Sequence, residues 1–159
     1  MKFTIRKAAP GDRDADLVAP LFDDYRQFYG KPADSKRARA FIRDRLAAGE
    51  SVILIAEAIG ELPTQALGFV QLYPSFTSVE ARRLWVLNDL YVVSAARRHG
   101  VGRALMEAAR QHAIQTGAKR LTLETTAENR AAGALYESLG YVCQEESVRF
   151  YTLELDEPR

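Results

Sequence analysis

Apolar residues alternate with polar ones in parts of this chain and recur every three or four positions in others, which divides it into strands and helices. Alternation around Phe3 and Ile5 predicts a first strand. Pro20 lies inside the helical pattern that follows and should kink or divide it. In the first half the predicted elements are a strand at Phe3–Lys7, helices at Asp12–Tyr29 and Ser35–Ala48, strands at Val52–Ala58, Ala66–Tyr73 and Arg83–Val93, and a loop at Pro74–Ser78.

The second half adds helices between further strands. Its predicted elements are helices at Val101–Thr116 and Arg130–Leu139 and strands at Leu121–Thr125, Tyr141–Glu145 and Val148–Leu155. Because antiparallel hairpins are combined with a β-α-β-α unit, we expect an α/β (α+β) fold with a mixed, mostly antiparallel sheet and helices on both faces. The length of 159 residues predicts a single domain over residues 1–159.

Composition excludes several classes of function. No stretch is apolar over the length of a signal peptide or a membrane span, so we expect a cytoplasmic protein without a membrane segment. The formal net charge of +1 gives no global attraction to nucleic acid, and no nucleic-acid partner is expected. Cys143 is the only cysteine, and His99 and His112 are the only histidines, so we expect neither an internal disulfide nor a bound metal ion.

The turn between the strand ending at Val93 and the next helix is the most informative segment. Gly100 and Gly102 open that helix, whose first backbone N–H groups are free to bind an anion. Basic side chains surround the turn at Arg97, Arg98 and Arg103. A P-loop would need a lysine after the second glycine, and a dinucleotide fingerprint would need a third glycine. The remaining pattern, Arg-x-x-Gly-x-Gly, fits either a phosphate ligand or an ordinary basic turn before a helix.

A second segment places a polar and a phenolic side chain on one helix face. Asn129 begins the helix and Tyr136 follows seven residues later, almost two turns on. Ala132 and Gly133 lie between them and leave room for a shallow groove. Tyr136 fits either a site residue or a packing residue whose hydroxyl reaches solvent.

The chain resembles the GNAT superfamily of N-acetyltransferases in these segments, over a length from Phe3 to Leu155. The segments are Leu90-Tyr91-Val92-Val93, Arg97-x-x-Gly100-x-Gly102, and Asn129-x-x-Ala132-x-x-Leu135-Tyr136-Glu137-Ser138-Leu139-Gly140-Tyr141. The resemblance implies a sheet that splays in the middle and holds acetyl-coenzyme A there. It implies coenzyme-binding residues at Leu90, Tyr91, Val92, Val93, Arg97, Arg98, His99, Gly100, Val101, Gly102, Arg103, Asn129 and Tyr136.

The implied reaction is direct acetyl transfer to a primary amine of a small molecule or peptide, through a tetrahedral intermediate. Tyr136 is the expected general acid for the departing thiolate, since a phenol pKa of about 10 lies above the thiol value of about 8.5. A backbone N–H around Tyr91 would stabilise the carbonyl oxygen. Asp89 and Glu124 are the candidate bases, acting through water.

The segments Leu72-Tyr73-Pro74-Ser75-Phe76 and Asn88-Asp89-Leu90-Tyr91-Val92 resemble the diamine and polyamine acetyltransferases, which usually carry Glu-Asp where this chain has Asn88-Asp89. Aromatic faces and carboxylates suit a cationic amine. The candidate substrate-binding residues are Tyr25, Phe28, Tyr29, Tyr73, Trp85 and Asn88. A polyamine, an amino acid-like amine, an aminoglycoside and a protein lysine all remain open as acceptors.

Two other classes of function compete with this interpretation. The chain could be a catalytically inactive regulatory module that binds coenzyme A, with Asn88 as the trace of lost activity. It could instead bind nucleic acid through Arg97, Arg98 and Arg103, although the near-neutral charge argues against that. The resemblance also implies a homodimer, for which the predicted strand Val148–Leu155 offers an edge.

Overall fold

A five-stranded sheet in the order β1-β2-β3-β4-β5 forms the centre of the computed structural model, which describes residues 1–155. The chain divides into two compact units, Met1–Glu124 and Thr125–Arg159. The first unit contains β1 (Phe3–Lys7), α1 (Asp12–Phe28), α2 (Ser35–Ala47), β2 (Val52–Ala58), β3 (Ala66–Thr77), β4 (Arg82–Val92), a 3-10 turn at Ser94–Ala96, α3 (Val101–Gln115) and β5 (Leu121–Thr122). The second unit contains α4 (Arg130–Ser138).

Helices cover both faces of the sheet, as the sequence predicts. Strands β1 to β4 pair antiparallel, and β5 pairs parallel to β4. Gly68 and Phe69 are neighbours on β3 and therefore point to opposite faces. The Phe69 ring meets the ring of Phe22 of α1 at a centroid distance of 6.4 Å. A Cβ atom built on Gly68 would lie 3.2 Å from the side chain of Leu105 of α3. Helices α1 and α3 therefore lie on opposite faces.

The sheet opens between β4 and β5, which pair at only two positions, Trp85 with Leu121 and Val86 with Thr122. Beyond Val86, β4 continues for six more residues to Val92. Within residues 1–155 no strand pairs with that part of β4 on the side away from β3. This opening leaves backbone groups of β4 available at an interior position of the sheet, as the predicted splay requires.

The prediction of a loop at Pro74–Ser78 is wrong, because β3 runs through Pro74 to Thr77 and pairs with β4 down to Arg82. The N–H of Trp85, the register partner of Pro74, donates to the Arg120 carbonyl at 3.1 Å, on the side away from β3. The two residues thus form a non-hydrogen-bonded pair, in which the nitrogen of Pro74 points away from β4. A proline is tolerated at such a position, since no ladder bond is lost.

Pro20 does not divide α1, which is one helix from Asp12 to Phe28. The residues on both sides of Pro20, including Val18 and Phe22, are buried in the core with α2 and the sheet, so tertiary packing holds the helix through the missing N–H. Asp34 caps α2, because its side chain accepts a hydrogen bond from the Arg37 N–H at 3.0 Å.

The strands predicted at Tyr141–Glu145 and Val148–Leu155 are absent from the described residues, which contain no strand after Thr122. Alternation alone does not supply a neighbouring strand, and residues 142–155 are exposed here. The edge expected to support a homodimer is therefore not a strand, and Cys143 in this segment is exposed. The single domain over residues 1–159 stays a prediction, and residues 156–159 lie outside the described part.

No helix within residues 1–155 combines the length and the apolar character that a membrane span requires.

Candidate active site

The turn after β4 exposes a row of backbone donors at the start of α3. Gly100 takes the left-handed conformation, with φ 83° and ψ 2°, immediately before the first residue of the helix. This conformation favours glycine, which explains the residue at this position. The first hydrogen bond that returns to the turn runs from the Ala104 N–H to the Gly100 carbonyl at 3.0 Å.

None of the backbone N–H groups of residues 98–102 makes a well-formed hydrogen bond to a described residue. These donors lie where the positive end of the α3 dipole falls, so the turn can bind an anion. The surrounding side chains of Arg97, Arg98, His99 and Arg103 are exposed. The structure thus brings together, in one turn, the residues from Arg97 to Arg103 that the resemblance implies as coenzyme-binding residues.

Arg97 is held against β4 rather than extended into solvent. Its Nε donates to the Val92 carbonyl at 2.9 Å, and its guanidinium lies 5.7 Å from the centre of the Tyr91 ring. The Nδ1 atom of His99 lies 2.8 Å from the Arg97 carbonyl oxygen. These contacts order the turn and keep positive charge beside the open edge of β4.

Of the four residues from Leu90 to Val93 that are predicted to bind coenzyme A, two present their backbone to the open edge. The Val93 N–H donates to the Leu67 carbonyl of β3 at 2.9 Å. Because backbone groups of an antiparallel strand alternate in direction, Tyr91 also faces β3, while Leu90 and Val92 face the open edge. The Tyr91 N–H itself lies inside the β3–β4 ladder, so of the backbone donors around Tyr91 those of Leu90 and Val92 face the open edge.

A β-bulge interrupts β4 next to the opening. The register moves from Gln71 opposite Asp89 to Leu72 opposite Leu87, so Asn88 is the extra residue. A bulge reverses the alternation of side chains along a strand and redirects the residues beside it. Asp89 consequently points to the face that α1 and α2 cover.

Asp89 is a carboxylate buried inside this unit, with 2% of its surface exposed. The Nδ2 atom of Asn88 donates to its Oδ1 at 2.9 Å, and Nε2 of Gln71 donates to its Oδ2. Burial raises the pKa of Asp89 above its ordinary value of 3.8, while hydrogen bonds from Gln71, Asn88 and Tyr25 lower it in part. Asp89 is therefore a stronger base than a solvent-exposed carboxylate.

Tyr73 lies on the same face as Asp89, two residues along β3 from the partner of Asp89. Burial raises the pKa of Tyr73 to about 12, and the negative charge of Asp89 adds to this shift. The Arg45 guanidinium of α2 acts in the opposite direction. The phenol is consequently neutral throughout the physiological range.

Aromatic rings of α1 lead from the surface towards this carboxylate. Phe28 packs edge-on against Tyr29 at 5.2 Å between centroids, and Tyr29 packs against Tyr25 at 5.0 Å. Phe28 and Tyr29 are exposed, whereas the Tyr25 hydroxyl donates to the Asn88 carbonyl at 3.2 Å. Tyr25 thus lies at the bulge, and Tyr29 and Phe28 at the end of α1 continue the row of rings towards the surface.

Trp85 does not belong to this group, so its predicted place in the substrate wall is wrong. It is buried on the α3 face, 4.9 Å from the His112 ring between centroids, and its Nε1 donates to the Thr116 hydroxyl at 2.8 Å. The bulge at Asn88 reverses the side-chain alternation between Trp85 and Asp89. Trp85 therefore serves the core between the sheet and α3.

Glu124 is exposed and follows the end of β5 by two residues, outside any strand. It has no ion pair or hydrogen bond with a residue in the range 1–155. Glu124 therefore lacks the burial and the hydrogen-bond donors that surround Asp89.

In the second unit, Asn129 caps α4 by accepting a hydrogen bond from the Ala132 N–H at 3.4 Å. The Tyr136 ring lies 6.1 Å from the Tyr141 ring between centroids. A Cβ atom built on Gly133 would meet nothing within 4 Å, so this side of α4 is open next to Gly133. The predicted helix is confirmed, and the coenzyme contacts of Asn129 and Tyr136 stay predictions.

Gln71 is a hydrogen-bond partner of Asp89 in the first unit that the sequence analysis did not predict. It appears as one polar residue in an apolar strand, and its partner on β4 depends on the register and the bulge. A buried polar residue within an apolar strand was the available signal.

Comparisons with known proteins agree with this architecture. A sequence model of the acetyltransferase (GNAT) family matches residues 18–141. An N-acetyltransferase of Bacillus subtilis (strain 168), described as uncharacterized, is 52% identical over 128 residues, which are 80% of this chain and 83% of that protein.

Solved structures show the same fold. One described as a probable acetyltransferase has a TM-score of 0.87 at 41% identity and covers 98% of this chain and 99% of its own. An aminoglycoside N-acetyltransferase in complex with coenzyme A has a TM-score of 0.75 at 21% identity, over 96% of this chain and 95% of its own.

Proposed function

Because this chain belongs to the acetyltransferase (GNAT) family, we propose that it moves the acetyl group of acetyl-coenzyme A directly to a primary amine of a small molecule or peptide. The family establishes an N-acetyltransferase that uses acetyl-coenzyme A as its cosubstrate.

The proposal rests mainly on one observation. The turn with free backbone N–H groups at residues 98–102, here called the donor turn, comes immediately after the open edge of β4. We assign the diphosphate to the N–H groups of residues 98–102, with charge from the nearby arginines. The amides of the pantetheine arm can pair with the backbone N–H and carbonyl of Leu90 and with the N–H of Val92. The Val92 carbonyl already accepts a hydrogen bond from Arg97. The residues present therefore suit the cosubstrate, which supplies an activated thioester when it is bound.

Asp89 is the proposed base. An alkyl ammonium has a pKa of about 10.4 in water and must lose a proton before it can attack a carbonyl. A buried carboxylate with a raised pKa accepts that proton more readily than an exposed one, directly or through water. Since only the ionised form accepts a proton, kcat/KM should fall as the pH drops through the raised pKa of Asp89. The exposed Glu124 is the weaker candidate.

Tyr136 is the proposed acid that protonates the departing thiolate, on the strength of its place in the α4 motif. We expect Tyr136→Phe to lower kcat by about 10–100-fold, the lower part of the range for general acid catalysis, because a thiolate is already a fair leaving group. Coenzyme A affinity, measured by calorimetry, should change by less than about threefold. Equal losses in turnover and affinity would assign Tyr136 to binding instead.

The acceptor is proposed to be a cationic amine that enters past the aromatic rings of α1, because aromatic faces attract cations and Asp89 lies beside them. The named function of the aminoglycoside enzyme makes that class worth testing for this chain. Polyamines, amino acid-like amines and protein lysines have equal standing.

A screen for thiol release from acetyl-coenzyme A tests the function. The acceptors are 1,4-diaminobutane, free lysine, a lysine-containing peptide and kanamycin, each against a blank without amine. We expect at least one acceptor to raise the rate well above the blank in the wild type. No release with any of them, combined with tight binding of coenzyme A, would favour the inactive regulatory module.

A further inference from the structure

Gln71 is the residue directly opposite Asp89, and it lies wholly inside the first unit. The two residues are register partners on β3 and β4, and Gln71 is 0% exposed. Its Nε2 donates a hydrogen bond to Oδ2 of Asp89. Because an ionised carboxylate can only accept hydrogen bonds, this contact decides which end of the amide faces Asp89.

The other end of the amide is left without a partner. Oε1 of Gln71 is buried and accepts no hydrogen bond from any residue in the range 1–155. An unpaired buried acceptor costs free energy, and the neighbouring positions Val70 and Leu72 are apolar and fully buried. The packing of the sheet alone therefore does not account for an amide at this position.

Each oxygen of the carboxylate has its own amide donor. Asn88 holds Oδ1 from the bulge, and Gln71 holds Oδ2 from the adjacent strand. The other titratable group of β3 that faces Asp89 is Tyr73, and that of α1 is Tyr25. Arg45 of α2 acts on Tyr73. Gln71 is thus one of two fixed N–H donors to the carboxylate.

We infer that Gln71 is a positioning residue, which holds the Asp89 carboxylate in one orientation by occupying Oδ2 from the adjacent strand. The inference rests on the proposed role of Asp89 as the base. Without the Gln71 donor the carboxylate loses one of its fixed contacts and its charged form loses a hydrogen bond. Both changes should alter proton transfer while leaving the coenzyme site untouched.

The primary test is an NMR titration of the Asp89 side-chain carboxyl carbon in the full chain without ligand. Gln71→Met removes the donor and keeps a similar volume, so the titration midpoint should rise by about one to two pH units, the size of a charge-assisted hydrogen bond. Gln71→Leu serves as the second variant if the first is unstable. Asp89→Asn identifies the resonance by its loss, and Gln111→Met, an exposed change on α3, should leave the midpoint where it was.

The second readout is the pH profile of kcat/KM with the best acceptor of the four-amine screen. In Gln71→Met the acid limb should move to higher pH by the same amount, with KM for acetyl-coenzyme A unchanged. An unmoved NMR midpoint would overturn the inference about Gln71 and leave Asp89 as the base. A midpoint that moves while the acid limb stays in place would overturn Asp89 as the base, and with it the catalytic role of Gln71.

Discussion

Replacing Gly102 with glutamate is expected to lower the affinity for coenzyme A by about two orders of magnitude or more. The new carboxylate would lie in the first turn of α3, where the free N–H groups are proposed to hold the diphosphate. Losing two hydrogen bonds to a charged group, at about 1.5–3 kcal/mol each, already corresponds to a hundredfold or more, since a tenfold change is about 1.4 kcal/mol. Repulsion between like charges adds to the loss. Isothermal calorimetry with coenzyme A measures it.

The matched control is Gln111→Glu, which adds the same carboxylate to an exposed position of α3, remote from its first turn. It should bind coenzyme A within about threefold of the wild type, because exposed charges more than about 8–10 Å apart are largely screened. Circular dichroism should show the same helix content for both variants. If a folded Gly102→Glu protein bound coenzyme A with full affinity, the proposal that this turn binds the diphosphate would be contradicted.

Asp89→Asn is expected to lower kcat by about 10²–10⁴-fold, the usual contribution of a general base. The asparagine keeps the shape of the side chain but cannot take a proton from the amine. The defect should shrink as the pH rises towards about 10, because the amine then loses its proton to the solvent. Steady-state rates between pH 6 and 10 with the best acceptor of the screen, at saturating acetyl-coenzyme A, measure this.

Stability separates a chemical defect from an unfolded protein. When folding raises the pKa of a carboxyl group, the protonated group favours the folded state. Its contribution to the free energy of unfolding is therefore largest below its unfolded pKa and declines as the pH rises through the folded pKa. At pH 7 the folded protein bears the cost of burying the ionised carboxylate of Asp89. Asp89→Asn removes this cost, so the variant should melt no lower than the wild type at pH 7. Glu124→Gln is the matched control and should keep nearly full activity. A larger loss of activity in Glu124→Gln than in Asp89→Asn would indicate that Glu124, and not Asp89, is the base.

Local signals in the sequence were sufficient to predict the helices and the donor turn. Gly100 directly before Val101 predicts the start of α3. A glycine, which tolerates the left-handed conformation, followed by a helical pattern is a signal that depends only on adjacent residues. Asp34 announces α2 in the same way. The order of these elements was enough to predict helices on both faces of the sheet.

Features that depend on pairing between strands were not readable. The bulge at Asn88 is set by the register of β3 and β4, and it reverses the face of every β4 residue on one side of it. Simple alternation would place Trp85 and Asp89 on one face, whereas the structure separates them. The same register brings Gln71 to Asp89. The failure at Pro74 has a similar origin, since a proline fits a strand when its nitrogen faces away from the partner.

A crystal structure of the protein with bound coenzyme A tests the central claim most directly. We expect diphosphate oxygens within hydrogen-bond distance of the backbone N–H groups of residues 98–102, and the pantetheine arm beside the open edge of β4 at Leu90 and Val92. Coenzyme A bound at another surface, with those N–H groups unengaged, would contradict the claim.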